Sequence, residues 1–194
     1  GAEGWFAIPN WKKNPDIFGT TYSAALQKVL ATVKRARKGK FYNYCEGQID
    51  DRQLRQSART EKFFADLTLE QGDPDILIVP AQFGLRHRGR SVRRALEVMI
   101  DLGNEFGLGA FATGIMLLTH PERLMNYNDL SVDSAGDEFD DPDSDARFDH
   151  YPYWNFNGDK VKFDANHVSN ANENYGSTSG FASKSLFVRK SAKL

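Results

Sequence analysis

This chain of 194 residues is short of the features that usually name a chemistry. It has one cysteine, Cys45, which excludes an intrachain disulfide and a zinc site of the multi-cysteine type. A lone thiol fits a reducing compartment, so a cytoplasmic location is the expectation. The longest clean apolar run, Ala110 to Leu118, is too short to cross a bilayer, and no membrane partner is expected. No charged-then-apolar leader opens the chain, so a signal peptide is expected to be absent or already removed. An excess of one charge is also lacking: 25 Lys and Arg stand against 26 Asp and Glu, and the net charge of −1 argues for no acidic or basic partner by itself. Four histidines (His87, His120, His150 and His167) are scattered without a His-x-x-x-His pair. There is no Walker loop and no Gly-x-Gly-x-x-Gly. Gly176-Ser177-Thr178-Ser179-Gly180 has the spacing of a nucleophile elbow but carries Thr178 at its centre, leaving a phosphate nest or a flexible loop as its readings.

What is present is an alternation of strands and helices. Trp5 to Ile8 reads as a strand. Thr20 or Thr21 caps a helix to about Lys38, with Tyr22, Leu26, Val29, Leu30 and Val33 on one face. Phe41 to Cys45 reads as a strand, and Asp50 or Asp51 as the cap of a second helix that Gly72 ends. Ile76 to Val79 is a continuous β-branched-rich run, expected as a central buried strand. A third helix starts near Ser91. Ala110 to Leu118 fits either a strand or a buried helix, Pro121 starts a short helix, and Leu130 to Val132 fits a strand. Asn157-Gly158 predicts a hairpin pairing Trp154 with Val161 and Tyr153 with Lys162, with Trp154, Phe156, Val161 and Phe163 facing the core. The opposite face carries Tyr151, Tyr153, Lys160 and Lys162. Aromatics interleaved with lysines can stack bases, although an ordinary exposed sheet face has the same look. The expected fold is therefore α/β, with a mainly parallel sheet flanked by helices and a C-terminal antiparallel β-hairpin. Residues 1–194 read as a single globular domain, with 183–194 a flexible basic tail.

The segment Arg86-His87-Arg88-Gly89-Arg90-Ser91-Val92-Arg93-Arg94 holds five arginines and no acid. It lies between a strand and a helix start, where α/β proteins bind phosphate with free backbone N–H groups. Cations there oppose the helix dipole, at roughly 0.3–1 kcal/mol each, and a bound anion would remove the conflict. Arg86, Arg88, Gly89, Arg90, Ser91, Arg93 and Arg94 are the candidate anion-binding residues. The competing reading is internal neutralisation. Residues 133–149 carry eight acids and one arginine and could fold over the cluster, or Arg93 and Arg94 could pair with Glu97. Within that acidic stretch, Asp141, Asp143 and Asp145 alternate as in calcium loops and are a candidate divalent-cation site, against a solvated acidic loop. The glycine and terminal glutamate of an EF-hand are missing. Asp133, Asp137 and Glu138 could serve as acid and base if buried, with turn or surface placement as the alternative. Cys45 reads as a nucleophile without a neighbouring histidine, or as a small buried hydrophobe.

Arg86, Gly89 and Ser91 resemble the pyrophosphate-binding loop of the N-acetyltransferase superfamily, with Ser91 in place of the last Gly or Ala. The resemblance covers six residues. It implies backbone N–H groups of Arg88 to Ser91 on the pyrophosphate of acetyl-coenzyme A, and it would require a preceding run of antiparallel strands that the sequence pattern lacks. Separately, Leu117-Leu118-Thr119-His120-Pro121-Glu122-Arg123-Leu124 and Asp133-Ser134-Ala135-Gly136-Asp137-Glu138 resemble segments of uncharacterised bacterial or phage proteins, over roughly residues 76–181. That resemblance implies no activity. Three function classes follow. The first is binding of an anionic ligand, nucleic acid or a phosphorylated small molecule, at the Arg-rich loop. The second is an acyl- or phosphoryl-group transferase with a phosphate-bearing cofactor there, and the third is an interaction or assembly protein.

Overall fold

The computed structural model describes residues 1–182; the expected tail at 183–194 lies outside them. The chain runs β1 (Gly4–Pro9), α1 (Pro15–Phe18), α2 (Tyr22–Ala36), β2 (Phe41–Asn43), β3 (Leu54–Gln56), α3 (Ala58–Glu70), β4 (Ile76–Gln82), α4 (Val92–Leu102), β5 (Glu105–Gly107) and α5 (Ala110–Thr119). It continues through β6 (Ser131–Asp133), β7 (Asp137–Phe139), β8 (His150–Asn157), β9 (Lys160–His167), β10 (Tyr175–Ser177) and β11 (Ser179–Phe181). Single 3-10 turns lie at Trp11–Lys13, Leu85–His87 and Pro121–Arg123. No helix among the described residues is long and apolar enough to cross a membrane.

The fold is α/β, but the mainly parallel sheet expected from the alternation is not there. One sheet has the order β1-β4-β11-β5 and is antiparallel throughout. The other is mixed: its path is β10-β6-β8-β7-β3, with β9 pairing β8 and β2. Among the described residues only β10–β6 and β2–β9 are parallel pairs. The physical reason is that most helices carry the chain from one sheet to the other. Thus α2 links β1 to β2, α3 links β3 to β4, and α5 links β5 to β6. The unit β4–α4–β5 does return in the same direction, yet β11 from the far end of the chain sits between its strands, antiparallel to both.

The run Ala110 to Leu118 is a helix, and it is apolar nearly all round because it packs on all sides. Gly114 makes this possible, since a Cβ there would collide with Val29 of α2 and crowd Trp154 of β8. The core gathers Phe6, Ile8 and Val79 from the first sheet, Leu26 and Val29 from α2, Phe111 and Met116 from α5, and Trp154 and Phe163 from the second sheet.

Other expectations are corrected in detail. β4 is central, but its burial alternates, with Ile76 and Ile78 exposed on an uncovered face. The helix expected to start at Asp50 or Asp51 starts at Ala58 instead. Ser57 accepts the Thr60 amide as its cap, while Asp50 closes a turn by accepting the Arg52 and Gln53 amides. Residues 54–56 pair with β7 as a strand. The β8–β9 hairpin forms, but its turn is Gly158-Asp159, both at φ 59°, so Asn157 pairs with Lys160 and Trp154 with Phe163. That is a two-residue shift from the expected register, and an even shift keeps every side chain on its face.

Candidate functional site

The Arg-rich loop leaves β4 at Gln82 and is pinned at its start by a close backbone contact. Gly84, at φ 111°, lies so near Gly176 that a Cβ on either would strike the other's main chain. The 3-10 turn Leu85–His87 follows, and Ser91 caps α4 by accepting the Arg94 amide. Seven of the nine amides from Arg86 to Arg94 donate inward. Gly89 donates to the Tyr175 carbonyl (2.9 Å), Arg93 to the Val168 carbonyl (3.0 Å) and Arg90 to the His87 carbonyl (3.2 Å). Those of Arg86, His87, Arg88 and Arg94 go to Gln82, Gly84, Leu85 and Ser91. A backbone cradle of the acetyltransferase kind would need the amides of Arg88 to Ser91, and the fold already uses those of Arg88, Gly89 and Arg90.

The guanidinium groups divide into two sets. Arg86 donates to Glu105 (3.0 Å), and Arg94 pairs with Glu97 (2.8 Å). Arg88 donates to the Glu173 carbonyl (2.7 Å) and Arg90 to the Arg86 carbonyl (2.8 Å). Neither meets a carboxylate, and the Arg93 side chain has no polar partner among the described residues. The acidic stretch does not cover this loop. Asp140 pairs with Arg147 and Glu138 with Arg55, while Asp141 and Asp149 face His150, and Asp149 also faces His167.

Beneath the loop lies a buried polar knot in which the sequence had singled out only Arg86, His87 and, as the loop or nest of 176–180, Ser179. Glu105 is 0% exposed and accepts from Arg86, His87 (2.8 Å) and Ser179, whose hydroxyl in turn accepts from Gln82 (2.8 Å). Burial works to raise the Glu105 carboxyl, and the hydrogen bonds from His87, Ser179 and Arg86 more than offset it, holding the group below the usual carboxylate range. The knot fixes the root of the loop and leaves its outer arginines to solvent. One signal for Glu105 was available: it is a lone charge next to the apolar run Phe106 to Phe111. Gln82 offered none.

The segment 176–180 is neither nest nor flexible loop. Ser177, Thr178 and Ser179 are fully buried where β10 of one sheet passes into β11 of the other. Thr178 stitches the sheets: its amide and hydroxyl both donate to the Asp133 carbonyl (2.9 Å each), and its carbonyl accepts the Leu108 amide (3.1 Å).

Asp133 and Asp137 are buried, against the surface alternative, while Glu138 sits half-buried on Arg55. Burial pushes Asp133 up to about 8 and Asp137 up to about 7. Asp133 is 1% and Asp137 3% exposed, so neither offers its carboxyl to solvent. Asp137 has a structural task, since it accepts the Ala110 amide (2.7 Å) and the Tyr22 hydroxyl (2.9 Å) at the start of α5. Cys45 is buried, and its thiol is pushed up to about 12, first by burial and then by Asp164 and Asp141, which suits a small hydrophobe rather than a nucleophile.

The divalent-cation expectation at Asp141, Asp143 and Asp145 is corrected. Among the described residues no group of three or more His, Cys, Asp or Glu side chains is placed to hold a metal ion. Asp141 instead accepts the Asp143 amide (2.9 Å) in a local turn. A separate cleft of about 380 Å³ lies between β1 and α3, lined by Ile8, Trp11, Phe64, Leu77 and Phe111. Its rim charges are already paired, Lys12 with Glu61 and Lys13 with Asp73.

Compared with known proteins, the chain matches no family model, no curated protein and no solved structure.

Proposed function

We propose that this protein binds a polyanion, nucleic acid in the first instance, through the side chains of Arg88, Arg90 and Arg93. The observation that carries the reading is that these three guanidiniums have no carboxylate partner among the described residues, although eight acids lie in residues 133–149, of which Glu138, Asp140, Asp141 and Asp149 pair elsewhere. Arg86 and the Glu105 knot hold the loop that presents them. Because seven of the loop's nine amides are committed, contact runs through side chains. That suits a repeating phosphate backbone better than a phosphorylated small molecule enclosed by main chain. A cytoplasmic setting remains part of the proposal.

The test is fluorescence anisotropy with a labelled 15-nucleotide oligomer between 50 and 200 mM KCl. Three phosphate contacts to a single strand predict log K falling with log salt at a slope of roughly −2. The triple variant R88A/R90A/R93A is expected to lose most of that slope. A parent whose binding ignores salt, or a triple variant that binds like the parent, overturns the reading.

A second reading, protein assembly, has its own observation. The uncovered face of the first sheet places Trp5, 75% exposed, in register with Pro80, and Ala7 with the exposed Ile78, on its edge strand β1. An unpartnered edge beside an apolar strip suits contact with another chain. Light scattering of the parent and of Trp5→Ser at micromolar concentration checks it: a monomer in both cases counts against assembly of this chain with itself.

A further inference from the structure

The geometry points to a stacking platform for single-stranded nucleic acid on the open end of the second sheet, built from Tyr42, Tyr44 and Lys162. It rests on the nucleic-acid reading above and names the strand form that the protein would prefer.

Strand register places the platform. Tyr42 of β2 stands beside Lys162 of β9, which stands beside Asn155 of β8. One row on, Lys160 stands beside Asn157, and Lys40 leads into β2 next to them. Three strands thus present tyrosine, lysine and asparagine on one face. The reverse face carries Phe41, Val161, Phe163 and Trp154 into the core, so the strands beneath the platform are held rigid. Tyr42 and Tyr44 are each 51% exposed and contact one another edge to face at 4.6 Å. Lys162 lies 5.5 Å from the Tyr44 ring centre and donates to its hydroxyl (3.3 Å). Lys40 and Lys160 have no ion pair among the described residues. Exposed rings offer a base its stacking partner whatever the sequence, and unpaired ammonium groups at the same face hold the phosphates.

Acids are near but partly occupied. Asp164, in the row beyond Lys162, accepts the Tyr153 hydroxyl (3.1 Å) and the Ala165 amide (2.8 Å). Asp159 at the turn and Glu46 beyond β2 are exposed. The far end of the same face is covered by α4, whose Val92 and Leu96 pack on Tyr151 and Tyr153. The sequence expectation of an exposed Tyr151–Tyr153 face is corrected there: Tyr151 is buried, and the open aromatics are Tyr42 of β2 and Tyr44 just beyond it. Arg93 docks its amide on Val168, six residues along from Lys162, a distance of about 20 Å at strand rise. One strand of a few nucleotides can therefore span from the tyrosines to the arginines. A lysine-flanked edge strand also protects a sheet from pairing with other chains, and the experiment separates that role from binding.

Anisotropy is measured with labelled dT15, U15 and a blunt 15-base-pair duplex, on the parent, Y42A/Y44A, Y42F/Y44F and R88A/R90A/R93A. Both tyrosines are exposed, and unchanged melting temperatures check that the variants stay folded. The expected result is tighter binding of the two single strands than of the duplex. Y42A/Y44A should lose roughly 5- to 150-fold per stacked base, and Y42F/Y44F, which keeps the rings, should bind within a few-fold of the parent. Comparable loss on dT15 and U15 supports a platform blind to the 2′-hydroxyl. If the arginine variant loses affinity while Y42A/Y44A binds like the parent, or the duplex binds as tightly as the strands, the platform is overturned and the arginine reading stands. If Y42A/Y44A alone loses affinity, the platform stands and the arginine reading falls. No binding of any oligomer by the parent overturns both.

Discussion

The Asp137 carboxylate occupies the space that a side chain on Gly109 would fill, and from there it caps α5 in place of the capping residue the helix lacks. Gly109 precedes the first helical residue and has no side chain to accept an amide. Asp137, from β7, accepts the Ala110 amide, while Tyr22, from α2, donates to Asp137 and accepts the Phe111 amide (3.3 Å). Three elements thereby meet at one helix end.

Substituting Gly109→Ala should be costly. Its Cβ would collide with both the Asp137 carboxylate and the Tyr22 hydroxyl, neither of which can move without releasing an amide of α5. The expected loss is about 1–3 kcal/mol for overpacking, with more if the cap is broken. Thermal unfolding measures it, at roughly 2–4 °C per kcal/mol for a chain of this size. An unchanged melting temperature would show that the cap is not under this constraint.

Stability should fall as pH rises through neutrality. Burial raises Asp133 to about 8 and Asp137 to about 7 in the folded state, whereas both titrate near 4 when unfolded. The folded state holds protons that the unfolded state has released, so the contribution of these two groups is fullest below pH 4, declines as pH climbs toward 8 and then levels off. Asp133→Asn removes one share of that decline and should gain on the parent between pH 5 and 8, on the order of a few kcal/mol. Urea unfolding at intervals from pH 4 to pH 9 reads the two slopes directly, and parallel curves for parent and variant would contradict the assignment.

Glu105 and Arg86 should not be equivalent. Removing the Glu105 carboxylate leaves Arg86, His87 and Ser179 without their shared acceptor deep beneath the loop, a loss of about 3–5 kcal/mol for Glu105→Ala. Arg86 is partly open to water, and Glu105 keeps two other donors without it, so Arg86→Ala should cost clearly less. Equal losses in chemical denaturation would mean the two act only as an isolated pair.

Gln71→Ala tests a quieter contact. The open side of β4 is satisfied not by a strand but by the Gln71 side chain, whose Oε1 accepts the Ile78 amide (2.9 Å) and whose Nε2 donates to the Ile78 carbonyl (2.8 Å). Water can replace an exposed amide, so the stability loss should stay near 1 kcal/mol. The more sensitive readout is self-association by sedimentation, expected to rise as the strand edge is uncovered.

Local signals were legible wherever the cause is local. Thr21 and Ser91 cap helices as the sequence suggests, and the alternation around Trp154 and Phe163 does mark a core face. What could not be read depends on partners distant along the chain. β11 enters between β4 and β5 from about 75 residues beyond β5, and no pattern within β4 or β5 announces it. The Arg-rich loop was visible as composition. Its amides were not, because their acceptors at Tyr175 and Val168 lie some 80 residues downstream. The tyrosine platform escaped because Tyr42 was read with its own short strand, and its pairing with Lys162 is a long-range parallel contact.

The passage of the chain through Thr178 also orders events during synthesis. A nascent chain halted before that residue can assemble the β8–β9 hairpin and pack α2 on α5, but it carries a vacant slot between β4 and β5, with the Glu105 carboxylate missing its Ser179 donor. Closure of the slot waits for residues 175–181 to leave the ribosome. Until then the Gly89 amide of the arginine loop lacks its Tyr175 acceptor, and Gly84 lacks its close contact with Gly176.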